Sequence, residues 1–340
     1  MSFRFFKAWT RHDDCSRVVK EIWGQPVIGN PMVRLQLKLK RLKSALKTRN
    51  KTVFEELQQL DYKAQLILTN ALLNQDQFLA FHASTSHCTV ISIVRDIIPQ
   101  LVTNEDNVML TKVPSNEEIK AEVFAMNSDG APGPDGFGGH FYQFFWEVVV
   151  LDVIQLVQYF FTSGKLNSNL NANLMILILK TPEAINVLSK KCFAGNIVMK
   201  IDIKKAFDTL DLSFLLQVLK QFDFHATFCN WIVDILYSAK LSILSSGKAI
   251  GYFSCIRGVR QGDPLSPLLF YLAEEVLSRS LSTAYSAGSI NPMRFCRGVV
   301  IPSHVLYADD ILIFCQGSKR NIREDVQYLW GSLKPSTFKP

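Results

Sequence analysis

Leucines recur at positions 35, 39, 42 and 46, in alternating steps of four and three, with mostly polar residues between them. That spacing lays one apolar stripe along a helix covering roughly residues 32–58. Further on, Val90–Val102 has the mixed pattern of an amphipathic helix. Ser115-Asn116-Glu117-Glu118 is a capping box, serine capping and glutamate three residues on, and it opens a short helix bearing Ile119, Val123, Phe124 and Met126. Asp129-Gly130-Ala131-Pro132-Gly133-Pro134-Asp135-Gly136 ends that helix in a turn-rich loop, and a long helical region follows from Phe141 to about Phe161. Residues 1–30 mix Phe3, Phe5, Phe6, Trp9 and Trp23 with charges; they read as a docking segment without an assigned element, and residues 59–113 are mostly unpatterned.

From about residue 173 the apolar runs shorten and the period changes. Asn173–Leu179 predicts a buried strand, Glu183–Lys191 a helix, and Ile197–Asp202 a second strand. Helices follow over Leu212–Phe222 and Thr227–Ala239, with Asp211 capping the first. Leu241–Ser245 and Ile250–Ser254 form a hairpin around Ser246-Gly247. Pro267–Ser282 is helical, entered through a Ser266 cap with Pro267 at the first helical position. Strands resume at Arg297–Ile301 and in the two apolar arms of Ser303–Phe314. Interleaved helices and strands with at least one hairpin give an α+β or mixed α/β class.

Composition narrows the choice. The 340 residues are 48% hydrophobic and 20% charged, enough to build a core and unlike a disordered chain. Lys+Arg is 37 against Asp+Glu 30, a net charge of +7 that suits a polyanion partner without requiring one. Eight basic residues and no acid lie between Arg34 and Lys51. Such a helix lies along nucleic-acid phosphates through Lys38, Arg41 and Lys43, or it packs by its leucines and turns a solvated face outward; charge runs are more often solvent-facing. The seven cysteines form no CxxC pair, which argues against zinc and a disulfide framework and for a reducing compartment. Glu147 and Asp152 interrupt the greasiest stretch, which argues against a membrane span, and the N-terminus has no secretory apolar region.

Three short motifs carry candidate chemistry. Asp309-Asp310 sits between the two strand-like arms. Two adjacent carboxylates at a hairpin tip repel and lose hydration, so either a cation compensates them or the pair is an ordinary polar turn. Asp202 ends an apolar strand, and Ile203-Lys204-Lys205-Ala206-Phe207-Asp208 then turns into a helix. Arg257-Gly258-Val259-Arg260-Gln261-Gly262-Asp263-Pro264-Leu265-Ser266-Pro267 combines two glycines, which permit close backbone approach, with donors at Arg257, Arg260 and Gln261.

In this order, Asp202-x-x-x-Ala206-Phe207-Asp208, then Arg260-Gln261-Gly262-Asp263-Pro264-Leu265-Ser266-Pro267, then Tyr307-Ala308-Asp309-Asp310, the motifs resemble the palm of a reverse transcriptase, above all that of plant non-LTR, LINE-type retrotransposons. The Ala131–Gly136 loop resembles the segment that opens the polymerase domain there, and Ile176–Lys180 a finger strand. The resemblance implies a right-hand polymerase fold: a mostly helical, linker-like region over 1–113, partial fingers over 114–195, a palm over 196–320, and an unassigned tail over 321–340. It implies RNA-directed DNA polymerisation from an RNA template, a DNA primer and deoxynucleoside triphosphates, with two Mg²⁺ (or Mn²⁺) ions about 3.5–4 Å apart. Asp202 and Asp309 would bridge the ions, Asp310 would assist, and the Ile203 carbonyl would complete one shell. Phe207 falls where the family has a steric gate against ribonucleotides; Gln261, Gly262 and Lys180 would face the nucleotide, and Tyr307 the primer end.

The chain also departs from that pattern. Thr181-Pro182 joins directly to Glu183, where the family has a further finger segment, and Ala80–Ser92 is short. Motif resemblance stops after Asn321, so the thumb, primer grip and a preceding endonuclease are expected to be absent. Two alternatives to an active polymerase remain: a non-catalytic retroelement remnant that at most binds nucleic acid, and an intron maturase sharing the palm. Retroelement origin implies an intracellular, nuclear setting.

Overall fold

The computed structural model describes residues 3–53, 91–130, 132–167, 170–175, 196–203, 206–245, 248–254, 257–293, 302–307 and 310–317. Helices and strands are mixed, as an α+β class requires. Two compact units interleave along the chain: one holds 1–78, 111–180 and 230–255, the other 79–110, 181–229 and 256–340.

In the first unit, α1 (Asp13–Trp23), α2 (Pro31–Val53) and α7 (Trp146–Ser163) pack around one core. The leucine stripe supplies it: Leu35, Leu39, Leu42 and Leu46 are all buried. α1 presents Cys15, Val19 and Trp23 at four-residue steps to the same core, so the N-terminal segment is structural here. The Trp23 indole donates to Asp152 Oδ2 at 2.9 Å, and Lys38 Nζ reaches the same oxygen at 2.8 Å. A buried carboxylate with a cation and a second donor is compensated rather than orphaned. Phe5 N donates to the Gly136 carbonyl at 2.8 Å, and a Cβ on Gly136 would lie 2.2 Å from the Phe3 carbonyl oxygen. The glycine-rich loop is therefore the seat of the N-terminal segment.

Ser115 caps α5 (Asn116–Ala125) with both halves of the capping box made. The expected helical region is present and is built of two helices, α6 (Gly139–Phe144) and α7, because Phe145 leaves helical geometry at ψ 23°. Strands β1 (Ala172–Met175), β3 (Lys240–Ser245) and β4 (Lys248–Ser254) form a sheet in the order β1-β3-β4, with β1 parallel to β3 and a hairpin between β3 and β4.

The second unit contains α3 (Ile91–Ile97) and α4 (Asn104–Leu110). Its chain then runs through β2 (Asn196–Asp202), α8 (Ala206–Thr209) and α9 (Leu212–Gln221). Next come α11 (Leu265–Ser286), β5 (His304–Tyr307) and β6 (Asp310–Gln316). The division between units falls inside α10 (Ala226–Tyr237), after Cys229. α3 stops well before Val102 because Pro99 disfavours helical geometry in the residue preceding it. Asp211 caps α9 by accepting from the Ser213 and Phe214 amides. α11 begins two residues earlier than expected: Pro264 rather than Ser266 stands at the cap position, Asp263 Oδ1 just before it accepts from Leu265 N, and Pro267 sits within the first turn, where no amide donor is needed.

β2, β6 and β5 make an antiparallel sheet in that order. On one face, Ile311, Ile313 and Cys315 of β6 are fully buried against Phe270, Leu277, Leu281 and Ala284 of α11. Burial alternates strictly along β6, so Asp310, Leu312 and Phe314 take the other face. That face is open: Val198 is 46% and Val305 41% exposed. The strands expected at Asn173–Leu179 and Arg297–Ile301, and the helix at Glu183–Lys191, lie wholly or partly outside the described residues. Cys15, Cys229 and Cys315 are buried. Among the described residues, no helix is long and apolar enough to cross a membrane.

Candidate active site

The carboxylates meet through strand register. Asp202, last on β2, lies directly opposite Asp310, first on β6, and Asp310 in turn lies opposite Tyr307, last on β5. Directly opposed residues share a face of the sheet at Cβ separations of about 4.5–5.5 Å. The two aspartate positions and Tyr307 thus cluster at one end of the open face. The buried isoleucines hold this arrangement, since a one-residue slip of β6 would drive Asp310 into the core and expose Ile311 and Ile313.

Asp310 already faces a cation. Lys200 Nζ lies 2.9 Å from Asp310 Oδ2, with side-chain exposures of 60% and 38%. Lys200 is two residues before Asp202 and opposite Leu312, so it reaches Asp310 diagonally across the open face. Ile203, immediately beyond β2, is buried in the core beneath. Asp309 and Lys180 lie outside the described residues; Asp202 and Tyr307 are described by their backbone. Among the described residues, no group of three or more His, Cys, Asp or Glu side chains is placed to hold a metal.

The glycine-glutamine loop docks onto the turn that follows β2. Gly258 N donates to the Leu210 carbonyl and Val259 N to the Phe207 carbonyl, both at 2.7 Å. Gly258 has φ +80°, and a Cβ there would stand 2.6 Å from the Asp208 carbonyl oxygen. Only glycine allows this approach without displacing backbone. Phe207 is half-buried, its ring stacked on that of Phe270 at 4.7 Å and 22°. Gln261 is exposed and its amide reaches the Asp208 carboxylate at 3.4 Å. Gly262 is exposed, with nothing within 4 Å of where its Cβ would be.

The basic residues fall differently. Arg257 is buried, which pushes its guanidinium pKa down against the opposing pull of Asp211. Arg260 pairs with Asp263 at 2.7 Å. On α2, Lys38 binds Asp152, Arg41 donates to the Pro26 carbonyl at 3.1 Å, and Lys43 donates to the Pro134 carbonyl at 3.3 Å while lying over the Phe3 ring. Burial lowers the Lys43 pKa. These partners support the packed-helix reading of the leucine-striped segment. Two features escaped sequence reasoning: the Lys200–Asp310 pair and the Phe207–Phe270 stack. The β-period of 198, 200 and 202 put Lys200 on the face of Asp202, but the cross-strand register that brings it to Asp310 is not readable locally.

The family profile described as reverse transcriptase (RNA-dependent DNA polymerase) matches residues 158–339, and this span continues beyond Asn321, where the motif resemblance stops. The retrovirus-related Pol polyprotein from type-2 retrotransposable element R2DM of Drosophila melanogaster is 28% identical over 146 residues, covering 43% of this chain and 12% of the relative. The Pol polyprotein from type-1 retrotransposable element R2 of Popillia japonica is 29% identical over 116 residues, 34% of this chain and 18% of the relative. An uncharacterized mitochondrial protein of Arabidopsis thaliana is 40% identical over 70 residues, 21% of this chain and 57% of the relative. The chain thus spans under a fifth of the length of either Pol polyprotein.

Proposed function

Because the chain belongs to the reverse transcriptase (RNA-dependent DNA polymerase) family, of non-LTR retrotransposon type, we propose that its second unit is the palm of an RNA-directed DNA polymerase, with Asp202, Asp309 and Asp310 as its metal-binding carboxylates. The observation that carries this reading is the register that sets Asp202 opposite Asp310 at the mouth of the β5–β6 hairpin. The donor chemistry suits Mg²⁺: carboxylate oxygens are its preferred ligands, and the Asp310 carboxylate, 2.9 Å from the Lys200 ammonium, supports this reading. The Ile203 carbonyl follows directly from β2 and is the fourth oxygen of the proposed set. When bound, paired ions supply the charge neutralisation that phosphoryl transfer to a primer 3′-hydroxyl requires.

The remaining residues bind and orient. Phe207, braced by Phe270, walls the sugar side of the nucleotide and excludes a 2′-hydroxyl. Gln261 and the open Gly262 backbone face the nucleotide and template, and Tyr307, on the strand flanking Asp310, packs at the primer end. The docked loop and the Phe207 turn share two short backbone bonds, which tie sugar wall to nucleotide platform. Catalysis of this kind is largely positioning, and this coupling is part of it.

Extension of a DNA primer on an RNA template by the full chain, in Mg²⁺ or Mn²⁺, is the test. Extension should be present in the parent and abolished in Asp202→Asn and in Asp309→Asn. Extension that survives both substitutions refutes the carboxylate assignment. A parent that binds nucleic acid with a steep salt dependence but never extends a primer refutes the polymerase reading in favour of a binding protein.

A further inference from the structure

We infer that Lys200 is a positioning residue of this metal site: its ammonium holds the cation position at Asp310 until a divalent ion displaces it, and it thereby sets how much divalent ion the site requires. The inference rests on the assignment of Asp202, Asp309 and Asp310 as metal ligands. Its own ground is the geometry of the open face. Lys200 Nζ lies 2.9 Å from Asp310 Oδ2, a direct ion pair. Lys200 is tethered to the site by the strand itself, two residues from Asp202 and two register steps along from the Asp202–Asp310 pair. The opposite face of β6 is filled by Ile311, Ile313 and Cys315, so strand alternation fixes Asp310 on the face where Lys200 lies.

An ammonium is a compact single charge with three donors, whereas Mg²⁺ and Mn²⁺ carry twice the charge and require direct oxygen ligation. The two cannot both stand in contact with one carboxylate oxygen without strong repulsion, so they compete. The strength of the pair decides whether it blocks the site or merely tunes it. A fully buried pair would resist separation. Here the lysine is 60% and the aspartate 38% exposed, so water and salt screen the pair and water can reach the ammonium once it is displaced. The result is a threshold: the carboxylate stays held and compensated when divalent ion is scarce and is released when the ion is abundant.

The test is direct binding of Mn²⁺ to the full chain, read from the loss of the free-ion electron paramagnetic resonance signal, for the parent, Lys200→Met, Lys200→Gln, Lys200→Arg and Asp310→Asn. Both neutral variants should bind Mn²⁺ about two- to fivefold more tightly than the parent, the size expected for removing one exposed ion pair. Lys200→Arg should bind no more tightly than the parent, and Asp310→Asn should lose affinity. If Asp310→Asn weakens binding but neither neutral variant tightens it, the role of Lys200 is refuted while the metal assignment stands. If Asp310→Asn binds as the parent does, or no form binds Mn²⁺, the metal assignment fails and the inference falls with it. Weaker binding in the neutral variants would make Lys200 a support of the site and would also overturn the inference.

Discussion

Replacing Gly258 with alanine tests whether the glycine-glutamine loop is truly seated on the turn after β2. The new methyl would lie 2.6 Å from the Asp208 carbonyl oxygen and 2.8 Å from its carbonyl carbon and Cα, all backbone atoms with no rotamer to yield. At φ +80° an L-residue also carries about 1–2 kcal/mol of intrinsic strain. Relief of the clash requires the loop to lift, which endangers the two 2.7 Å bonds from Gly258 N and Val259 N, each contributing about 0.5–1.5 kcal/mol. The expected loss is therefore about 2–5 kcal/mol, confined to this loop or expressed as global destabilisation. Gly262 is the matched control. Its φ is +85°, but nothing lies within 4 Å of its Cβ position, so Gly262→Ala should cost only the intrinsic strain of about 1–2 kcal/mol. Urea unfolding of the full chain gives the global cost, and hydrogen exchange at the amides of residues 258 and 259 gives the local one. Equal costs for the two substitutions, with undiminished protection of those amides, would refute the docking argument.

Two further predictions follow from the same region. In a preparation that extends primers, Phe207→Ala should relax discrimination against ribonucleotides by about 10–200-fold, the range for loss of one packing group, and unchanged sugar selection would remove Phe207 from the gate. His304, half-buried between Ser278 Oγ and Ser303 Oγ at 2.9 Å each, has its pKa lowered below the ordinary 6.5 by burial, against an opposing pull from Glu275. A depressed folded-state value means that the unfolded chain takes up the proton first, so His304 costs nothing above pH 6.5 and destabilises as pH falls through and below it. The slope of unfolding free energy between pH 7 and pH 5 should be shallower in His304→Gln, and an unchanged slope would refute this.

Much of the local structure could be read from the chain. The Leu35–Leu46 stripe, the Ser115 capping box and the Asp211 cap are short-range signals, and all three are realised. α1 was equally legible through Cys15, Val19 and Trp23, but its aromatic-rich flank obscured the period. The start of α11 was misplaced because Ser266-Pro267 carries a strong local start signal, whereas Pro264 already has helical backbone geometry and the helix runs from Leu265. The partners of Lys38 and Lys43, contributed by segments about a hundred residues away in sequence, had no local signature.

For the candidate site, the sequence by itself determined the chemistry and the order of the parts: a carboxylate ending a strand, a glycine-glutamine loop, and a second carboxylate pair between two alternating apolar arms. Those features depend on neighbours within a few residues, and the side-chain period of a strand writes them directly into the chain. The tertiary structure alone decided that Asp202 stands opposite Asp310 in the strand register, that Lys200 reaches across to Asp310, and that Phe207 leans on Phe270. Register across strands more than a hundred residues apart has no local code. It is set by which side chains α11 can bury, and burial of Ile311 and Ile313 leaves the aspartates the open face.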